Sequence, residues 1–156
     1  MQLKIKKLVE GIDDVGYANP GDAGIDLRAS GRWVVDLDGD KKDVEQESYG
    51  LKPGERILVK TGIQMEIPRG YWGNIRDRSG VAFKQGLHVM AGVVDESYRG
   101  EIGVVMINLG KTPHIIRKND RIAQMVITPY ARAEITYDDR LSGSRRGNGC
   151  FGSTGK

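Results

Sequence analysis

The chain has 156 residues, with 24 basic against 21 acidic side chains and a formal charge of +3. That length suits one domain with a core of its own. So small a basic excess, with Lys and Arg dispersed and few aromatics between them, argues against a nucleic-acid groove.

The single cysteine, Cys150, excludes an intrachain disulfide and suits a reducing, cytoplasmic setting. The opening MQLKIKKLVE lacks the continuous apolar stretch of a signal peptide. No segment approaches the roughly 20 apolar residues that span a bilayer, so no membrane partner is expected.

In chain order, Gln2–Leu8 reads as a strand. Leu3, Ile5 and Lys7 alternate with Lys4 and Lys6, which predicts one buried and one wet face. Strands follow at Ile25–Ala29 and Arg32–Asp36. The segment Asp36–Glu47 carries six carboxylates against Lys41 and Lys42 and reads as a solvated hairpin tip. Asp36, Asp38, Asp40 and Glu47 sit at calcium-loop spacing, but Lys41 occupies the position that needs glycine and no helices flank the loop.

After the turn at Pro53-Gly54, strands are predicted at Arg56–Thr61 and Gln64–Ile67, and past Pro68-Arg69-Gly70 at Trp72–Arg76. Gly80–Gln85 fits a helical turn or slightly more. Gly103–Asn108 runs into the turn Asn108-Leu109-Gly110, and Ile122–Thr128 is the last strand. Glycine, at 22 residues, is about twice its usual share of about 7% and falls between these strands as turns. Many short strands with such turns predict an all-β sandwich, jelly roll or barrel.

Three clusters carry candidate chemistry. Arg146–Gly155 combines glycine-freed amides, the guanidinium of Arg146 and the hydroxyls of Ser153 and Thr154, the parts of a phosphate cradle. By composition it is equally a flexible tail. It does not fit a P-loop, because Cys150 stands where glycine is required. Arg78-Ser79-Gly80 sets a guanidinium and a hydroxyl at a strand end where a helix begins. Gly92–Gly100 is a hairpin with a carboxylate, Asp95, and an aromatic, Tyr98; a partly buried Asp95 could orient and deprotonate water. A plain junction and a plain turn explain the last two when each is taken alone. Metal chemistry has little support, since His88 and His114 are far apart and Cys150 has no partner at zinc spacing. Acyl transfer has none, lacking a nucleophile elbow.

The order of these clusters resembles the five motifs of the trimeric dUTPase family. Ala23–Ala29 is similar to the first, Arg78–Ala82 to the second, and Ala91–Ile102 to the third. Arg121–Ile127 is similar to the fourth and Arg146–Gly155 to the fifth. The resemblance implies an all-β jelly-roll domain over residues 1–140 and a mobile Gly-rich arm, 141–156, closing over an active site. It implies a homotrimer with shared sites that splits dUTP into dUMP and pyrophosphate, with Mg²⁺ held mainly by the substrate phosphates and water.

Roles carry over by position. Asp95 would activate the attacking water and Tyr98 would pack against the deoxyribose. The hairpin backbone around Leu87–Gly92, with Gly92 and Val93 at its end, would pair with uracil. Arg78, Ser79, Gly80 and Gln124 would hold phosphates, and Asp26 would sit near the metal shell. Arg146, Gly152, Ser153 and Thr154 would clamp the outer phosphates, and Phe151 would cover the base.

The chain departs from the pattern at Cys150, where glycine is usual, and at Asp77, where proline is common. A carboxylate there would repel phosphates unless it points away or pairs with Arg76 or Arg78. Met90 lies where some relatives carry a side-chain amide, which leaves uracil recognition to backbone. Two other activities share this scaffold: dCTP deamination, which needs a catalytic glutamate near the base and usually lacks the full tail, and non-catalytic nucleotide binding by a regulatory module.

Overall fold

Strand alternation is clearest in Glu101–Asn108, where every second residue (Ile102, Val104, Met106 and Asn108) is buried. It places this strand at the centre of an antiparallel sheet, one face on the core. The computed structural model describes residues 1–37 and 39–149. In chain order the elements are β1 (Lys4–Lys7), β2 (Gly24–Arg28), β3 (Arg32–Leu37), β4 (Asp40–Glu45), β5 (Ser48–Leu51), β6 (Arg56–Glu66) and β7 (Tyr71–Arg76). Then come α1 (Ser79–Gln85), β8 (Leu87–Met90), β9 (Val93–Val94), β10 (Glu101–Asn108), β11 (His114–Arg117) and β12 (Arg121–Pro129).

Three antiparallel sheets share one core. The largest runs β4-β3-β6-β10-β8, with β1 also paired to β6. A second runs β2-β12-β7-β9, and β11 with β5 form the third. Trp33, Leu27, Ile57, Met106, Ile116 and Met125 fill the space between them. The mostly β, antiparallel fold agrees with the expectation from strand patterning. Among the described residues no helix is long and apolar enough to cross a membrane.

Three local expectations are corrected. The two strands expected at Arg56–Thr61 and Gln64–Ile67 are the single strand β6. Gly62 joins them at φ 71°, where an added Cβ would stand 2.6 Å from Val9 Cγ2. Glycine therefore bends the strand without ending it. The alternation around β1 buries little: its four residues are exposed, while Leu3, just before it, is partly buried against the core. The acidic tip is itself a paired strand. β4 lies on β3 with Asp36 opposite Lys41 and Val34 opposite Asp43, and its charges cover a sheet edge that would otherwise offer unpaired backbone. Asp43 pairs with Lys60 at 2.6 Å, tying this edge to β6.

Candidate active site

β12 lies between β2 and β7, and its register sets Asp26, Gln124 and Arg76 side by side across the sheet. Asp26 is 8% exposed. A carboxylate so placed needs charged or donor partners, and it has two. Arg78 Nε donates to one oxygen at 2.8 Å and Arg121 Nη1 to the other at 3.1 Å. Both oxygens are therefore engaged by guanidiniums. Asp26 holds Arg78 in place, and Arg78 Nη1 also reaches the Arg121 carbonyl at 3.3 Å.

Gln124 donates from Nε2 to the Asp77 carbonyl at 2.8 Å. Its side chain lies over Gly24, where any Cβ would collide with it. β7 then ends and α1 begins. Arg78 is the extended residue before the helix, and the first intrahelical bond is Ala82 N to Arg78 O. The amides of Ser79 and Gly80 are thus left unused by the helix. No acidic residue stands in that first turn.

Asp26, Arg78, Ser79, Gly80 and Gln124 line a groove of about 590 Å³ that also includes Asn19, Asp22, Gly24, Arg76 and Asp77. Asp22 accepts from both the backbone and side-chain nitrogens of Asn19, which fixes the opposite wall. Guanidinium, hydroxyl and free amides on one wall suit a polyanion. Arg121 was missed by sequence reasoning, although it opens the fourth motif. The Asn19–Asp22 wall was missed because nothing in its pattern marks a site.

Asp77 does not face the groove as a bare charge. Its carboxylate turns toward β8, accepting from Val89 N at 2.6 Å and lying 2.8 Å from His88 Nδ1. It points away from the anion wall and pairs with neither Arg76 nor Arg78.

The base hairpin lies on the other side of β7. Gly92 has φ 132° and accepts from Ile75 N at 2.8 Å. A Cβ there would lie 2.6 Å from the Ile75 carbonyl oxygen, so glycine is needed. Ala91, at φ 62°, turns the chain between β8 and β9. Val93 points to solvent, 70% exposed.

Asp95 was expected to be partly buried, but it is exposed. Val94, one residue earlier, takes the buried position, and alternation turns Asp95 outward. Among the described residues none donates a hydrogen bond to its carboxylate. Its carbonyl accepts from Tyr98 N at 3.1 Å, closing the turn. Tyr98 donates its hydroxyl to the Glu101 carbonyl at 3.0 Å and covers Gly100.

The structure gathers Asp26, Arg78, Ser79, Gly80 and Gln124 at one groove and leaves Asp95 and Tyr98 apart. Val94 pairs with Gly73, so Asp95 stands level with Trp72. Arg76, the last residue of β7, lies four positions further on, about 13 Å at about 3.3 Å per residue, and Arg78 follows two residues beyond the strand. Arg146 sits in an exposed turn over 145–148. Phe151, Gly152, Ser153, Thr154 and Cys150 lie outside the described residues, as does Asp38. Among the described residues no three His, Cys, Asp or Glu are grouped for a metal.

The family model for dUTPase matches residues 11–155. A deoxyuridine 5'-triphosphate nucleotidohydrolase of an Anaeromyxobacter species is 44% identical over 90% of this chain and 86% of its own length. One from a Hydrogenobaculum species is 43% identical over 99% of each chain. Among solved structures, the dUTPase of Staphylococcus bacteriophage 80alpha with dUPNHPP superposes with a TM-score of 0.78 at 26% identity, covering 99% of each chain. With the motif order carried by a matching fold and by such relatives over nearly its whole length, the chain belongs to the dUTPase family.

Proposed function

We propose that this chain hydrolyses dUTP to dUMP and pyrophosphate in active sites shared between the subunits of a homotrimer. As a member of its family it is a dUTP diphosphatase, an enzyme of nucleotide metabolism. The activity keeps uracil out of DNA and supplies dUMP. The single cysteine supports a reducing, cytoplasmic setting.

One observation supports shared sites above the others. An exposed, unengaged Asp95, level with Trp72, stands about 13 Å along β7 from Arg76 of the anion groove, at about 3.3 Å per residue, and Arg78 follows two residues beyond the strand. A second copy of the chain can bring an Asp95 to that groove, as closed cyclic assemblies do.

In this site the guanidinium of Arg78, the Ser79 hydroxyl and the amides of Ser79 and Gly80 grip the phosphates, with Gln124 behind them. The Gly92 and Val93 backbone reads the uracil edge, and the Tyr98 ring fills the space a 2′-hydroxyl would need. Asp95 orients a water and accepts its proton as the water oxygen attacks the α-phosphorus. The bond from that phosphorus to the bridging oxygen breaks, and pyrophosphate leaves with the electron pair. Charge growing on the leaving oxygens is met by donors already in place at Arg78 and Ser79. Arg146, Gly152, Ser153 and Thr154 of the arm clamp the outer phosphates, and Phe151 covers the base.

The donor set fits Mg²⁺ entering on the triphosphate. Both oxygens of Asp26, the most buried carboxylate of the groove, already serve Arg78 and Arg121, and hydrated Mg²⁺ suits phosphate and water ligands. When bound, the ion neutralises phosphate charge and favours departure of pyrophosphate. Pyrophosphate release from dUTP with Mg²⁺, run beside ammonia release from dCTP, tests the reaction. Release of pyrophosphate from dUTP without ammonia from dCTP is expected; ammonia instead would make the chain a deaminase. Sedimentation equilibrium of the purified protein should give the mass of three chains.

A further inference from the structure

We infer that Asp77 is a positioning residue that fastens the phosphate grip to the central sheet through β8. The inference rests on the reading of Arg78-Ser79-Gly80 as the phosphate site. Asp77 is the last residue before that grip, and it is held on two sides. Its carbonyl accepts from Gln124 Nε2 at 2.8 Å. Its carboxylate takes the Val89 amide at 2.6 Å and lies 2.8 Å from His88 Nδ1.

The two ends of this tether differ in rigidity. β8 pairs with β10 at four positions, and Leu87 and Val89 are buried in the core. The segment Asp77–Arg78 belongs to no strand and bridges β7 to a seven-residue helix with no buried residue of its own. The carboxylate therefore lends the order of the sheet to the loop rather than the reverse. It also disposes of an electrostatic problem. A carboxylate next to phosphates would repel them. Here both oxygens are spent on donors of β8, so the charge is turned from the groove and partly compensated.

The substitution most useful for testing this is Asp77→Asn. Its amide oxygen can still accept from Val89 N, and its NH₂ can donate to His88 Nδ1 in the neutral tautomer that accepts there. Geometry survives while charge is lost. Asp77→Ala removes both bonds, and His88→Ala removes one.

Binding of pyrophosphate with Mg²⁺, followed by calorimetry, reports the phosphate grip alone, and deoxyuridine reports the base hairpin alone. Asp77→Ala should weaken pyrophosphate about ten-fold, and His88→Ala about three-fold, the scale of lost hydrogen bonds to a charged group. Asp77→Asn should stay near the parent, and deoxyuridine binding should move less than pyrophosphate binding in the two alanine variants. With dUTP as substrate, Asp77→Ala should lower kcat/KM by about the same factor, with part of the loss in KM.

Unaltered pyrophosphate affinity in Asp77→Ala would overturn the tether. So would equal weakening of pyrophosphate and deoxyuridine, which would mean general loosening, and so would an Asp77→Asn defect as large as that of alanine. If Asp77→Ala does not fold, the asparagine and His88→Ala variants carry the same test. Pyrophosphate binding is read without turnover. A parent protein that binds pyrophosphate but leaves dUTP intact would sink the proposed reaction and leave the tether to its own result.

Discussion

The anion groove and the Asp95 turn are built in opposite ways. In the groove nearly every polar group has a fixed partner within the chain: Asp26 is bonded twice, Asp77 is held at carbonyl and carboxylate, and Asp22 closes on Asn19. At the turn the backbone is fixed by the Tyr98–Asp95 bond, yet the Asp95 carboxylate is exposed and receives no donor from the described residues. The contrast follows the chemistry expected of each. A grip on phosphates works best when its donors are oriented before charge develops. A general base works only if its lone pairs are free for a water proton. A donor on Asp95 would blunt it, whereas a loose Arg78 would need to be ordered by the substrate.

The largest effect should come from the unengaged side. Asp95→Asn should lower kcat by about 10²–10⁴, the usual contribution of a general base, with nucleotide affinity kept. Steady-state rates near those of the parent would remove Asp95 from that role. Next comes the arm. Truncation after Ser144 should leave the thermal unfolding curve in place, because residues 130–149 are exposed and hold no strand or helix. It should lower kcat/KM by about 100-fold through lost charge-assisted bonds to the phosphates; full activity would rule out the arm as a lid. Third, Asp26→Asn should raise KM for dUTP about ten-fold. Its oxygen can still accept from Arg78 Nε, but its NH₂ would face the Arg121 guanidinium, donor against donor. A KM equal to the parent's would show that Arg78 needs no anchor.

The sequence made the strands legible wherever alternation met turn residues, as in β10 and β12. It misled where one residue altered a strand without changing its pattern. Gly62 looked like a break because glycine ends many strands; only its close contact with Val9 shows a bend instead. The alternation in β1 was real, but a short strand laid on the far end of β6 leaves Ile5 exposed and packs Leu3 only partly against the core. For the site, motif order named Asp26, Arg78, Gln124 and Asp95. It could not show that Arg121 shares Asp26 with Arg78, since that contact spans 95 positions in sequence. Nor could it show that Asp77 turns to β8, because the repulsion it would cause was visible and its partners, at 11 and 12 positions, were not. The outward turn of Asp95 was in principle readable, because it follows the buried Val94 in an alternating strand.

The contrast between groove and turn is sharpest if the two belong to different chains, and mixing two disabled variants tests that. Arg78→Ala lacks the grip but keeps a normal Asp95, and Asp95→Asn lacks the base but keeps the groove. Each alone should be nearly inactive. Coexpressed with different tags and purified as mixed trimers, they should regain activity, because a site needs Arg78 from one chain and Asp95 from its neighbour. In every mixed ring of three chains one of the three sites draws both intact groups, so activity should approach roughly a third of the parent's. Denaturant in the assay buffer is unnecessary, since the chains assemble together during synthesis. Recovery of this size cannot come from either homotrimer. Mixed trimers no more active than the parent variants would assign Arg78 and Asp95 to one site within one chain. The roughly 13 Å that four positions of β7 put between Asp95 and Arg76 at about 3.3 Å each, with Arg78 two residues beyond, would then have to close by a movement of the hairpin toward its own groove.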